Sequence, residues 1–180
     1  FEKAHFIVDV KSTGLFRDDP VLKANHATVE YWKTGHSYMK RRLGEGGGLA
    51  GVEKSGHVFL ARPLGPGYDD GLATAILICE MLAAHHAQTL ADINRQLPVS
   101  FGTPTLNIHC CDTQKYRIVS RIVSYLSTAM QSKELFARQQ IIDLLTINGA
   151  RIIVADGTWG LIRASSNKPE LVVVAESPVS

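Results

Sequence analysis

Residues Ile142–Arg163 read IDLLTINGARIIVADGTWGLIR, and this stretch decides the fold of the second half of the chain. Apolar, β-branched runs at Ile142–Ile147, Arg151–Ala155 and Leu161–Arg163 predict three strands. Asn148-Gly149 joins the first two and is a strong hairpin signal, and Asp156-Gly157 marks the next turn. A fourth strand is expected at Leu171–Ala175. Connections this short leave no room for the crossover that parallel pairing needs, so the strands form an antiparallel meander. Upstream, Leu106–His109 predicts one more strand. Ile118, Val119, Ile122, Val123 and Leu126 then recur at the spacing of an amphipathic helix. One helix against a small antiparallel meander is an α+β domain.

Toward the N-terminus the grammar differs. Short apolar runs at His5–Val10, Thr28–Trp32, Leu49–Val52 and His57–Leu60 predict strands, separated by Gly-rich turns. Between them Pro20–Ala27 and Ser37–Leu43 predict short helices. The firmest helix follows Asp69-Asp70-Gly71, where Leu72, Ile76, Cys79 and Leu82 recur at helical spacing behind an aspartate suited to capping. Alternating strands and helices predict an α/β domain with a mostly parallel mixed sheet, ahead of the small α+β domain with its antiparallel sheet. The expected division is residues 1–96, a linker at 97–103 and residues 104–180. Leu97–Thr103 (LPVSFGT) carries neither periodicity. No internal repeat or low-complexity segment interrupts either half.

Composition narrows the function classes. Of 180 residues 45% are hydrophobic and 20% charged, a balance that builds a core rather than a disordered chain. The net charge is +2, and Lys40-Arg41-Arg42 is the longest basic cluster, which reads as a solvated helix face. Nucleic acid is therefore not the expected partner. Three cysteines, Cys79, Cys110 and Cys111, form neither a disulfide framework nor a zinc-type CxxC pair, and a reduced, cytoplasmic setting is expected. No run approaches the length of a membrane span, so no membrane is expected either. The chain starts at Phe1, almost directly on a strand, which suggests a fragment of something longer.

Four loops at strand ends could carry chemistry. Arg163-Ala164-Ser165-Ser166-Asn167-Lys168-Pro169 packs a guanidinium, hydroxyls, an amide and an ammonium into one connection. Arginine offers a planar fork to phosphate oxygens, and successive N–H groups in a turn can form an anion nest. An ordinary polar hairpin loop would read the same way. Glu53-Lys54-Ser55-Gly56-His57 follows the strand Leu49–Val52. Its carboxylate can accept from two neighbouring sugar hydroxyls, Ser55 can donate and accept, and His57 can exchange a proton near neutral pH. Lys33-Thr34-Gly35-His36 leads into a helix and suits an anion at its N-terminus. Lys11 directly follows the first strand. Asp69-Asp70 reads as a helix cap, because two adjacent aspartates point different ways and are too few to hold Mg²⁺. No metal ligand set is read in the chain.

Taken in order, VDVK (8–11), WKTGH (32–36), EKSGH (53–57), GYDDG (67–71) and WGLIRAS (159–165) resemble the α-D-phosphohexomutases, in particular the bacterial phosphomannomutase/phosphoglucomutase branch. The resemblance covers almost the whole chain and implies most of the third and fourth domains of a four-domain enzyme. It implies that Glu53, Lys54, Ser55, Gly56 and His57 recognise the sugar. Arg163, Ala164, Ser165, Ser166 and Asn167 would hold the phosphate that is not being transferred. Lys11 and His36 would line the same site, with His57 and Lys11 as catalytic candidates. Hexose phosphate is the implied ligand, and the N-terminal domains of the same polypeptide are the implied partners.

Two departures are small. Lys54 stands where the family often has Met, and Ser166-Asn167-Lys168 replaces an Asn-Thr-x pattern. The large departure is the absence of the family's phosphoserine loop and of its aspartate-rich magnesium loop. The implied Mg²⁺, and the glucose or mannose 1,6-bisphosphate intermediate, therefore belong to a parent protein, and this chain alone is expected to be inactive. A phosphosugar-binding module without chemistry is the alternative.

Overall fold

His5–Asp9 (HFIVD) forms β1, and Ile7 and Val8 at its centre are wholly shielded from solvent. A strand buried on both sides needs neighbours on both edges. β1 finds them in Thr28–Trp32 (β2) and Ala50–Val52 (β3), both parallel to it, with Ile7 opposite Glu30 on one side and Gly51 on the other. The chain reaches β2 through two short helices, α1 (Leu15–Asp18) and α2 (Pro20–Ala24). Asp19 caps α2 by accepting from Leu22 N at 2.8 Å. The crossover to β3 is α3, His36–Gly46, which buries Met39 and Leu43 against Ile7 and Phe59. Val58–Leu60 (β4) and Tyr68–Asp69 (β5) then add on antiparallel, giving the order β2-β1-β3-β4-β5. The sheet is mixed: its parallel side is β2-β1-β3 and its antiparallel side β3-β4-β5.

The computed structural model describes residues 1–136 and 138–179. They fall into two units, Phe1–Val99 and Ser100–Ser180. The first closes with α4 (Gly71–Ala84) and α5 (Leu90–Gln96). Asp70 caps α4 from the expected position, accepting from Ala73 N at 2.9 Å. The apolar stripe of α4 nevertheless meets solvent, with Leu72 75% and Ile76 52% exposed. α5 has no counterpart among the sequence expectations, although Thr89-x-x-Asp92 forms a reciprocal capping box at its start. Hydrogen bonds from Thr89, with help from Arg95, hold the Asp92 carboxyl below the ordinary carboxylate range.

The second unit is one antiparallel sheet with one helix on it. Its strands are β6 (Phe101–Gly102), β7 (Leu106–His109), β8 (Leu135–Phe136), β9 (Gln139–Leu145), β10 (Ala150–Val154), β11 (Trp159–Ala164) and β12 (Glu170–Ser177). They run in the order β6-β12-β11-β10-β9-β8, with β7 also on β12. The helix α6, Asp112–Gln131, follows β7 and presses Val119, Leu126 and Ala129 toward the sheet. The outcome is an α/β domain followed by an α+β domain. Within the expected linker 97–103, Phe101 and Gly102 pair with Ser177 and Glu176 of β12. Two residues are too few to show a strand's alternation in sequence, so pairing to the exposed edge of β12 decides the matter. Among the described residues no helix is long and apolar enough to cross a membrane.

Candidate functional site

The parallel strands β1 and β3 end on the same edge of their sheet, and that edge gathers three of the four candidate loops. Asp9, the last residue of β1, has no solvent exposure. A carboxylate taken out of water needs donors, and they come from three different loops. Its Oδ1 accepts from Ser12 Oγ at 2.7 Å and from Lys54 N at 3.1 Å. Its Oδ2 accepts from Thr34 Oγ1 at 2.8 Å and lies 3.7 Å from Lys11 Nζ. One buried charge thus fastens the loops that carry Lys11, Thr34 and Lys54.

Glu53 acts in a similar way on the neighbouring strand end. It is only 4% exposed, and its Oε1 accepts from Gly35 N at 2.6 Å. Gly35 is the N-cap of α3, so the anion expected at that helix N-terminus is the protein's own carboxylate. Oε2 faces the other way and lies 3.5 Å from Ser55 Oγ. The loop itself is a tight turn: Gly56 N donates to Glu53 O at 2.9 Å, and Glu53 N to His57 O at 3.0 Å. Gly56 makes it with φ of +91°, a conformation that side chains disfavour. Lys54, Ser55 and Gly56 form the exposed tip.

His57 is not isolated. Its Nδ1 lies 2.7 Å from Asp69 Oδ2, and His36 Nε2 lies 3.4 Å from the same oxygen. The two imidazoles meet edge to face, their centroids 4.3 Å apart. Asp69 Oδ1 accepts from Val58 N at 3.1 Å, which fixes the carboxylate on the backbone of β4. The pair Asp69-Asp70 therefore divides its tasks, one carboxylate for the helix cap and one for the histidines. Sequence reasoning expects only the cap. A second aspartate left over once the cap is assigned is the available signal.

In the second unit, the structure places Arg163 within β11 rather than in the loop. It is 8% exposed, and its Nη1 donates to the Ala164 carbonyl at 3.1 Å. Ala164 and Ser165 are also buried, while Ser166, Asn167 and Lys168 face solvent. What shapes this loop is Lys115 on α6, a residue the sequence does not bring forward. Its ammonium, 3% exposed, donates to Ser165 O at 2.6 Å and Lys168 O at 3.0 Å, and pairs with Asp112 Oδ1 at 2.6 Å. Ser165 N donates to Glu170 O at 3.0 Å, and Cys110 N to Pro169 O at 2.8 Å. While two carbonyls of the loop accept from a buried cation, the tip Ser166–Lys168 lies exposed to solvent.

The first unit thus assembles Lys11, His36, Glu53, Lys54, Ser55, Gly56 and His57 on one edge, with Asp9 and Asp69 behind them. The second assembles Arg163, Ala164, Ser165, Ser166 and Asn167 over Lys115. An oxygen-rich set fit for the implied Mg²⁺ does not occur among the described residues. Their one metal-capable cluster, His36, His57 and Asp69, offers two nitrogens and one carboxylate oxygen.

The chain is similar to known proteins over nearly its whole length. Residues 2–101 match the family described as phosphoglucomutase/phosphomannomutase, alpha/beta/alpha domain III. A phosphomannomutase/phosphoglucomutase of Pseudomonas putida is 33% identical over 174 residues, 97% of this chain and 34% of the relative. A phosphoglucomutase of Neisseria gonorrhoeae is 33% identical over 178 residues, with similar coverage. A phosphoglucomutase/phosphomannomutase family structure from Burkholderia thailandensis superposes with a TM-score of 0.76 at 28% identity, over 99% of this chain and 34% of that one. The chain spans about a third of the length of the curated relatives it matches. On the fold, the ordered loops and these matches together, the chain belongs to the phosphoglucomutase/phosphomannomutase family.

Proposed function

We propose that this chain is the sugar- and phosphate-recognition portion of a phosphohexomutase, which interconverts hexose 1-phosphate and hexose 6-phosphate of mannose, glucose or both. The observation that carries the reading is the Glu53–His57 turn. One carboxylate oxygen is spent on Gly35 N, and the other is turned toward Ser55 at the loop's exposed tip. Such a pair accepts from and donates to adjacent ring hydroxyls without depending on which end of the sugar carries phosphate. A mutase must hold its ligand both ways round, and this pair meets that demand.

The roles of the remaining residues follow from their chemistry. Arg163, the Ser165 hydroxyl and the exposed Ser166 and Asn167 bind the phosphate that stays in place. Lys11 adds positive charge at the sugar-binding edge. His57, oriented through Nδ1 by Asp69, holds or moves a proton at a substrate hydroxyl through its other nitrogen. In this reading the phosphoserine, its Mg²⁺ and the 1,6-bisphosphate intermediate are held by other domains of the same polypeptide, located in the cytoplasm. This chain binds and orients, and turns over nothing alone. Positioning and charge stabilisation supply most of phosphoryl-transfer catalysis, so the recognition portion governs rate as well as affinity.

Arg163 tests the reading. In the full-length parent, Arg163→Ala should raise KM at least about tenfold, since a hydrogen bond to a charged group is worth roughly 1.5–3 kcal/mol and 1.4 kcal/mol is one decade. Arg163→Lys should recover only a fraction of this, because an ammonium lacks the fork. Unchanged KM and kcat in a folded Arg163→Ala protein would remove this loop from the site.

A further inference from the structure

His36, His57 and Asp69 each offer one ligand atom, and the three atoms lie within 4.8 Å of one another. We propose that they form a binding site for a borderline first-row divalent cation, with Zn²⁺ as its representative. Two imidazoles and a carboxylate are the donor set such ions prefer, while Mg²⁺ seeks oxygen ligands in a near-ideal octahedron. With Zn–N and Zn–O bonds of about 2.0–2.1 Å, the edge between two ligands of a tetrahedral ion is about 3.3 Å. The His36 Nε2–Asp69 Oδ2 separation is already 3.4 Å. The His57 Nδ1–Asp69 Oδ2 contact of 2.7 Å is a hydrogen bond, and an ion replacing its proton would open it slightly.

The ligands are held in place before any ion arrives. Asp69 is anchored by Val58 N at 3.1 Å, and β5 is paired with β4 through Phe59 and Asp69. His36 is the first residue of α3, and its ring meets Phe59 edge-on at 5.2 Å. Partners that fix a ligand's orientation strengthen its hold on a metal. An ion can also reach the site: an open pocket of about 480 Å³ is lined by His36, Ser37, Lys40, Phe59, Tyr68 and Asp69. Lys40 is the competing charge there, and its ammonium sits over the Tyr68 ring at 4.0 Å. Three protein ligands and access from solvent leave the fourth position to water or another small ligand. No sugar is needed for the ion to bind, so the site stands or falls apart from the phosphosugar reading.

The test is a titration of this chain with Co²⁺, followed through its visible d–d absorption and then by displacement with Zn²⁺. One ion per chain is expected, with the intense bands of four- or five-coordinate Co²⁺ and none of the near-ultraviolet bands of thiolate ligation. Asp69→Asn, which keeps an acceptor for Val58 N, and His36→Ala should each weaken binding at least about tenfold, the scale on which even indirect metal contacts act. A Cys79→Ser/Cys111→Ser variant should bind as the parent does. Absence of saturable binding, thiolate bands, or unchanged affinity in Asp69→Asn would overturn the proposal.

Discussion

Asp9 and Glu53 are both carboxylates drawn out of water, yet they serve different ends. All the contacts described for Asp9 are to the protein's own loops, which makes it the fastening of the site. Glu53 is divided, with Oε1 committed to Gly35 N and Oε2 turned toward Ser55. Glu53→Gln can keep an acceptor for Gly35 while losing the second acceptor. In the full-length parent it should raise KM for hexose phosphates about tenfold, the loss of one charged hydrogen bond. The inhibition constant of inorganic phosphate should stay nearly the same. Equal losses for both ligands would show that Glu53 acts through the fold or the general field. At this scale much is legible in the sequence. Glu53, Ser55 and His57 can be named because their side chains suit sugar hydroxyls and proton exchange and because the loop, in order with the others, resembles that of the family. Asp9 and Asp69 cannot, because their importance lies in burial and in partners far away in sequence, such as Lys54 at 3.1 Å from Asp9.

Among elements, the strand ends rather than the helices carry the site, and the meander shows why. Asn148-Gly149 reads as a hairpin turn, and the register leaves it between β9 and β10. Its glycine does more than turn the chain. With φ of +107°, a Cβ there would fall 2.4 Å from Ile162 O and 2.6 Å from Arg163 Cβ, so Gly149 lets the next hairpin close in at the arginine. The turn is visible in the residues, but this neighbour is not. α6 is a similar case. Its apolar stripe announces a helix, while Lys115, one turn from its start, looks like a surface charge. Its ammonium instead ties Ser165 O and Lys168 O to the helix. Lys115→Met keeps the length of the stem and removes the donors. The variant should lose about 1.5–3 kcal/mol of stability, a charged hydrogen bond's worth. Amide exchange should quicken at 165–168 more than in β9 and β10, and exchange that quickens evenly across the sheet would mean that Lys115 only supports the core. α4 is the converse case, a helix found where it is expected. The residues Leu72 and Ile76 form the stripe of a core-facing helix, but nothing in this unit covers them. Periodicity finds a helix; it does not find what the helix packs against.

The whole chain carries the two proposed recognition surfaces and spans about a third of the length of its curated relatives. Its fold class is legible because each unit has its own grammar: strands alternating with helices up to Val99, short-looped strands after it. The exact junction is not, since Phe101–Gly102 joins the second sheet through two residues without a pattern. The central claim is that these surfaces bind a hexose phosphate through the named loops. A titration of this ¹⁵N-labelled chain with glucose 1-phosphate, followed by amide chemical shifts, tests it most directly. Shifts are predicted at Lys11, His36, Glu53–His57 and Arg163–Asn167, with inorganic phosphate moving only the Arg163–Asn167 set. Shifts confined to other residues, or none up to saturating ligand, would contradict it.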